Sequence, residues 1–219
     1  MTNIAQYIDH TLLRPDATES DIINLCNEAN EYKFAAICVA PCWNYIAKPK
    51  LKPEVNLCTV ANFPHGNGYL PTNFYYPDEI DFVLNIGYVK SKKWEQLDMF
   101  PMRHCGVKTV KVIVEVGYLT DEELFKVADI LIKHKIDFIK TCTGYGPRNV
   151  TIDDITKIKK HVGDRIKIKA SGGIKTYEFA RQLIDAGADR IGTSSGVAII
   201  KESLNDGQGF ELEQGTTSY

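Results

Sequence analysis

Apolar residues recur along this chain in two alternating rhythms. Short runs that are continuously apolar, or apolar at every second position, predict strands; stretches with apolar residues three and four apart predict amphipathic helices. Ile8 to Leu12 is the first short strand, with Asp9 and Thr11 on one face. Thr18 then reads as an N-cap with Asp21 three residues on, and Ile22, Leu25, Cys26 and Ala29 follow along one helix face. Phe34 to Ala40 is almost wholly apolar, as a strand buried on both faces should be, and Pro41 ends it. A helix over Asn44 to Leu51 leads to a strand at Val55 to Asn62. The next strand, Glu79 to Ile86, holds Asp81 among apolar neighbours. A helix begun by Trp94 and Leu97 is cut short by Pro101. Thr109 to Val116 is a strand, and Leu124, Val127, Ala128 and Leu131 form the next helix face. Phe138 to Thr143 is a strand, followed by a helix capped by Thr151 that runs through Ile155 and Ile158. After the strand around Lys169, Phe179, Leu183 and Ala186 align on a helix closed by Gly187. Arg190 to Ser195 is the last strand, and VAII starts a short apolar helix.

Eight strands thus alternate with six or seven helices, a pattern that demands a parallel sheet, open and doubly wound or closed. The count selects the closed form, an α/β (β/α)8 TIM barrel. The connection between the third and fourth strands, residues 62–78, has three prolines and no helical period, so the crossover there is expected to be shortened. No shift in composition marks a boundary. Residues 1–205 are expected to form one barrel domain, and 206–219, GQGFELEQGTTSY at its core, a flexible tail.

Composition removes several function classes. With 44% hydrophobic and 25% charged residues and a net charge of −2, the chain has no basic field for nucleic acid or an anionic membrane. No apolar run approaches the roughly 18 residues of a membrane span, and MTNIAQYIDH has no signal-peptide pattern. The six cysteines form no CxxC pair and fit reduced thiols in a cytoplasmic protein. The histidines show no ligand spacing, so neither a metal nor another cofactor is expected.

The candidate chemistry lies in two matching stretches. In the strand from Phe138, alternation puts Phe138, Lys140 and Cys142 on one face and Ile139 and Thr141 on the other. A lysine so placed either reaches water at the strand end or has its amine held partly neutral and used as a nucleophile. Lys167 to Thr176, KIKASGGIKT, repeats the design. In a closed barrel Lys140 and Lys169 point inward from adjacent strands. At about 6 Å and an effective dielectric near 20 two such charges repel by roughly 3 kcal/mol, which favours a free amine on one of them. That amine attacks a carbonyl to give a Schiff base, and Asp81 handles the protons. The turns after strands seven and eight, SGGIKT and GTSSG, both lead into helix N-termini. Gly172 and Gly173 bring backbone N–H groups close to an oxyanion, Lys175 adds charge, and Ser194 and Ser195 add hydroxyls. GTSSG also matches a nucleophile elbow, but the last histidine, His161, precedes Ser194, which rejects that hydrolase order. The residues fit a lysine-dependent carbon–carbon lyase acting on a phosphorylated sugar or aldehyde.

The motifs YIDHTLLRPDAT, AAICVAP, CTVANFPHGN, EIDFVLNIG, KVIVEVGYLTDEE, DFIKTCTG, KASGGIKT and GADRIGTSSGVAI resemble those of the 2-deoxyribose-5-phosphate aldolases, from about Tyr7 to Ile200. The resemblance implies a metal-free class I aldolase that reversibly splits 2-deoxyribose 5-phosphate into acetaldehyde and glyceraldehyde 3-phosphate. It implies Lys140 as the Schiff-base lysine, Lys169 as the neighbour that lowers its proton affinity, and Asp81 as the proton shuttle. Lys111 matches another active-site lysine; Asp9, Thr11 and Cys38 match pocket residues. Gly144, Gly172, Gly173, Lys175, Gly192, Ser194 and Ser195 match a phosphate site. The terminal Tyr219 is similar to a tyrosine that folds over the site in some members. Four features depart from the pattern: the short segment from Phe63 to Asp78, Tyr145 in place of a basic residue beside the phosphate, the helix shortened by Pro101, and Lys167 below Lys169, which is expected either to perturb the lysine pair or to snorkel from the barrel bottom. Two alternatives stand beside this reading: an inactive barrel kept as a phosphate-binding or interaction module, and a class I aldolase with another donor. A homodimer is the expected assembly.

Overall fold

Eight parallel strands close on themselves in sequence order in the computed structural model, which describes residues 3–68, 77–97 and 106–205. They are β1 (Ile8–Leu12), β2 (Ala36–Val39), β3 (Asn56–Ala61), β4 (Glu79–Val83), β5 (Thr109–Ile113), β6 (Phe138–Lys140), β7 (Lys167–Ser171) and β8 (Arg190–Thr193), and β8 pairs with β1. The (β/α)8 barrel expected from the strand count is the fold observed.

Seven α-helices lie among the described residues: α1 (Glu19–Tyr32), α2 (Asn44–Ala47), α3 (Ile86–Lys90), α4 (Asp121–Lys133), α5 (Ile152–Val162), α6 (Tyr177–Asp185) and α7 (Gly196–Asn205). Reciprocal capping boxes start three of them, Thr18 with Asp21, Thr120 with Glu123 and Thr151 with Asp154, each satisfying N–H groups that the first turn leaves open. Their apolar faces meet the outward side chains of the strands. Ile22 and Leu25 of α1, Leu124 and Val127 of α4, and Leu183 of α6 share one core with Ile37, Leu57, Val112, Ile139 and Ile168.

Inside the barrel the filling is different. Ala36, Cys38, Cys58 and Val60 form a small apolar cluster on β2 and β3. Asp9, Glu79, Asp81, Lys111, Lys140 and Lys169 are buried inside as well, none more than 3% exposed. Buried charge is expensive unless it is paired, so this interior is held together by ionic contacts rather than by packing alone.

The structure corrects several boundaries. The helix expected over Asn44 to Leu51 stops at Ala47 and continues as a 3-10 turn at Lys48–Lys50, because Pro49 has no N–H to extend the α-helical ladder. Ile86 opens α3 instead of ending β4, since the Asn85 side chain accepts from Tyr88 N at 3.0 Å and caps a helix there. Trp94–Leu97 is a 3-10 turn, and Pro101 lies outside the described residues. β6 ends at Lys140. Beyond it Thr141 Oγ1 donates to Ser171 O and accepts from Ser171 N, both at 3.0 Å, and the chain leaves the alternating pattern. Cys142 therefore joins the outer core with Ile139 and does not share the face of Phe138 and Lys140. Of the two outcomes expected for Lys167, the structure has it leave the barrel bottom; it is exposed, with its amine 5.6 Å from the Phe138 ring centre. No helix lies between β3 and β4 among the described residues, but residues 69–76 of that shortened crossover, like the tail 206–219, are outside them.

Candidate active site

Register brings the nominated side chains together. Lys140 ends β6 opposite Lys169 on β7, and Asp81 on β4 stands opposite Lys111 on β5. Asp81 is the centre of the group. Its Oδ2 accepts from Lys140 Nζ and from Lys169 Nζ, each at 2.7 Å, and its Oδ1 accepts from Lys111 Nζ at 3.0 Å and from Cys58 Sγ at 3.2 Å. Cys38 Sγ lies 3.8 Å from Oδ2. Lys169 also donates to Asp9, whose other oxygen accepts from Arg190 at 2.6 Å. Lys111 completes the set with an ion pair to Glu79 at 2.5 Å.

Burial by itself would push the Asp81 carboxyl up. The ammonium groups of Lys111, Lys140 and Lys169 outweigh it and hold the carboxyl well below the usual range. Asp9 is lowered in the same way, against its burial, by Lys169, Arg190 and Lys111. For Lys169 burial acts to lower proton affinity, yet Asp81 and Asp9 prevail and raise it; Lys111 is raised well above the ordinary lysine value, against burial, chiefly by Asp81. This corrects the expectation of two bare cations repelling each other. Lys169 is a firmly charged member of an ionic network, and the carboxylates between the lysines offset most of the repulsion.

The balance is nonetheless incomplete. Among the described residues four cations, Lys111, Lys140, Lys169 and Arg190, face three carboxylates, Asp9, Glu79 and Asp81, so these groups are one negative charge short. Losing one proton restores neutrality, which a buried cluster favours.

Above the cluster, at the C-terminal ends of β6, β7, β8 and β1, opens a cavity of about 380 Å³. Of the four clustered cations only Lys140 lines it. Among the residues nominated for binding, Thr11, Gly144, Gly172, Gly173, Lys175, Gly192 and Ser194 line it too. Gly172 and Gly173 have φ of 98° and 74°, a left-handed backbone that suits glycine and turns the chain sharply at the end of β7. Ser195 is not in the wall. Its N–H donates to Thr193 Oγ1 at 2.9 Å, and its carbonyl accepts the Ile199 N–H in α7. Asp9 and Cys38 are fully buried in the barrel interior and line no part of the cavity, and the same holds for Lys111. Tyr219 lies outside the described residues.

Sequence reasoning missed Arg190, Glu79 and Cys58 in the network and Arg14 in the cavity wall, where Tyr145 stands as well. A period-2 signal was available for the first two. Glu79 stands two residues before Asp81 on β4, and Arg190 two before Gly192 on β8, hence on the inward faces. Donor atoms of Cys38, Cys58 and Asp81, and of Asp9, Cys58 and Glu79, lie within 4.8 Å of one another. Every carboxylate in those groups already meets an ammonium or guanidinium group.

A family model described as DeoC/LacD family aldolase matches residues 3–204. The chain belongs to that family. It is 41% identical to the deoxyribose-phosphate aldolase of Caldanaerobacter subterraneus subsp. tengcongensis, covering 95% of this chain and 97% of the relative. It is 45% identical to that of Methanocella arvoryzae, over 90% of this chain and 94% of the relative. Among solved structures, QR15, an aldolase, superposes with a TM-score of 0.87 at 35% identity, covering 94% of this chain and 98% of the other. The deoxyribose phosphate aldolase of Aeropyrum pernix, described as a unique tetramer, superposes with a TM-score of 0.79 at 28% identity, over 92% and 91% of the two chains. Family membership makes this chain an aldolase of the lyase class, and places the charged network and its cavity in a fold that its aldolase relatives share.

Proposed function

We propose that the chain reversibly cleaves 2-deoxy-D-ribose 5-phosphate to acetaldehyde and D-glyceraldehyde 3-phosphate through a Schiff base on Lys140. The observation that carries the proposal is the position of Lys140: it alone of the buried cations opens into the cavity that also contains the glycine turns after β7 and β8.

The phosphate lies at those turns, against the N–H groups of Gly144, Gly172 and Gly173 and the Lys175 amine, with Ser194 at the rim. This sets the aldehyde end of the open-chain sugar over β6. The neutral Lys140 amine attacks C1, and the carbinolamine loses water to an iminium ion. Asp81, in contact with the Lys140 nitrogen through Oδ2, exchanges the protons of both steps. Loss of the C3 hydroxyl proton breaks the C2–C3 bond; the electron pair moves to the iminium nitrogen as an enamine, and the three-carbon aldehyde phosphate leaves. Protonation of the enamine at C2 and hydrolysis then release acetaldehyde and regenerate the amine. Lys169 stays charged between Asp9 and Asp81 and favours the uncharged form of the amine beside it, while Lys111 holds the far oxygen of Asp81. Tyr219 remains proposed as a proton-transfer partner, tested by the effect of Tyr219→Phe on kcat. Homodimer formation, tested by light scattering, and a cytoplasmic setting complete the proposal; Cys26, Cys38, Cys42, Cys58 and Cys142 are free thiols.

Borohydride reduction in the presence of acetaldehyde tests the central step. It is expected to fix a two-carbon adduct on Lys140, absent in Lys140→Ala. No adduct on the wild-type chain favours the inactive module, and trapping with a ketone but not with acetaldehyde favours another donor.

A further inference from the structure

We propose that Glu115 is a positioning residue that sets the loop following Lys140 for the substrate. The inference rests on the proposed role of Lys140. β5 ends at Ile113, and the chain turns at Glu115 with φ 52° and ψ 67°, a left-handed conformation uncommon outside glycine. The turn buries its carboxylate, 3% exposed, against the loop that follows Lys140. Oε2 accepts from the Thr143 backbone N–H at 3.1 Å and from the Thr143 hydroxyl. That hydroxyl accepts in turn from Tyr145 N at 3.0 Å. Gly146 makes room for the arrangement, because a Cβ there would stand 2.6 Å from the Glu115 carboxyl carbon.

Thr143, Gly144 and Tyr145 form part of the cavity wall beside Lys140. On the other side of this loop is a second cavity of about 340 Å³, also bordered by Thr143, Tyr145 and Glu115. The loop therefore has open space on both faces. Tyr145 meets the Phe63 ring edge-on at 5.6 Å and its hydroxyl donates to Leu13 O at 3.3 Å, while the Glu115 carboxylate holds Thr143, with hydrogen bonds to a charged acceptor that are stronger than neutral ones. It sets where the Thr143 hydroxyl and the Gly144 N–H stand relative to a phosphorylated chain held at Lys140.

Steady-state kinetics on 2-deoxyribose 5-phosphate, paired with borohydride trapping of acetaldehyde, separates this role from general support of the fold. Glu115→Ala is expected to raise KM about tenfold or more while acetaldehyde trapping on Lys140 proceeds as in the wild type. Glu115→Gln, which keeps an acceptor oxygen, is expected to restore KM to within about threefold. Thr143→Val combined with Glu115→Ala is expected to cost little more than the worse single change, because both break one contact. Equal loss of trapping and cleavage in Glu115→Ala, no rescue by glutamine, or additive effects in the double variant would overturn the inference. A wild-type chain that traps no acetaldehyde defeats the proposed function instead.

Discussion

Lys140 and Lys169 are register partners on neighbouring strands, and their amines donate to the same atom, Asp81 Oδ2, at 2.7 Å each. One carboxylate oxygen thus links the candidate nucleophile to the residue that keeps its charge. A proton released from Lys140 has an acceptor already in contact, and Lys169 has a second carboxylate, Asp9, on which to remain charged.

Asp81→Asn removes the charge that three ammonium groups share. Leaving buried charges without a partner costs on the order of 3–5 kcal/mol. The urea midpoint is expected to drop accordingly, and kcat to fall by about a hundredfold or more through loss of the proton acceptor. Unchanged stability would show that the network is better hydrated than its burial implies.

Lys169→Met leaves three cations against three carboxylates, so no proton need leave the cluster for neutrality. Acetaldehyde trapping on Lys140 at pH 7 is expected to fall about tenfold or more. A variant that traps as fast as wild type at pH 7 contradicts the charge argument.

Asp9 and Asp81 are held below the ordinary carboxylate range. Their stabilisation is complete above about pH 4 and is lost as pH falls through their folded-state values. Lys111 and Lys169 are raised, so theirs is complete below about pH 10.4 and is lost as pH rises through the folded-state values. Thermal unfolding followed by circular dichroism is expected to show a full and constant contribution from these four groups, with no pH dependence arising from them, between about pH 5 and 9 and falling stability at both extremes. Wild type and Lys169→Met that respond identically at high pH would count against the assignment.

Gly173→Ala would force a side chain into a backbone with φ 74° and within 2.4 Å of the Asn149 side chain. KM for the phosphorylated sugar is expected to rise about tenfold or more, with little change for unphosphorylated 2-deoxyribose. Equal effects on both substrates would place the phosphate elsewhere.

The barrel was legible because each strand's apolar run and each helix's period is a local property, and the two lysine strands were legible for the same reason. The ends of the strands were harder. Pattern alone carried β6 to Thr143, whereas the bonds between Thr141 and Ser171, 30 residues apart, stop it at Lys140. The charge balance was least accessible. Lys140 and Lys169 looked like an unscreened pair because Asp9, Glu79 and Arg190 are distant in sequence and meet the lysines only when the sheet closes. Ser195 was nominated with its neighbour Ser194, and only its use in starting α7 separates them.

Asp9 bonds to Arg190 across 181 positions of the chain, and to Lys169 across 160. During synthesis from the N-terminus, the acid is therefore made long before either base exists to neutralise it. Until the final stave arrives, a nascent intermediate would have to keep this interior wet, since drying it early would strand an unmatched anion. Reactivity and ring closure are thus acquired in a single event, and a prematurely terminated product would have neither.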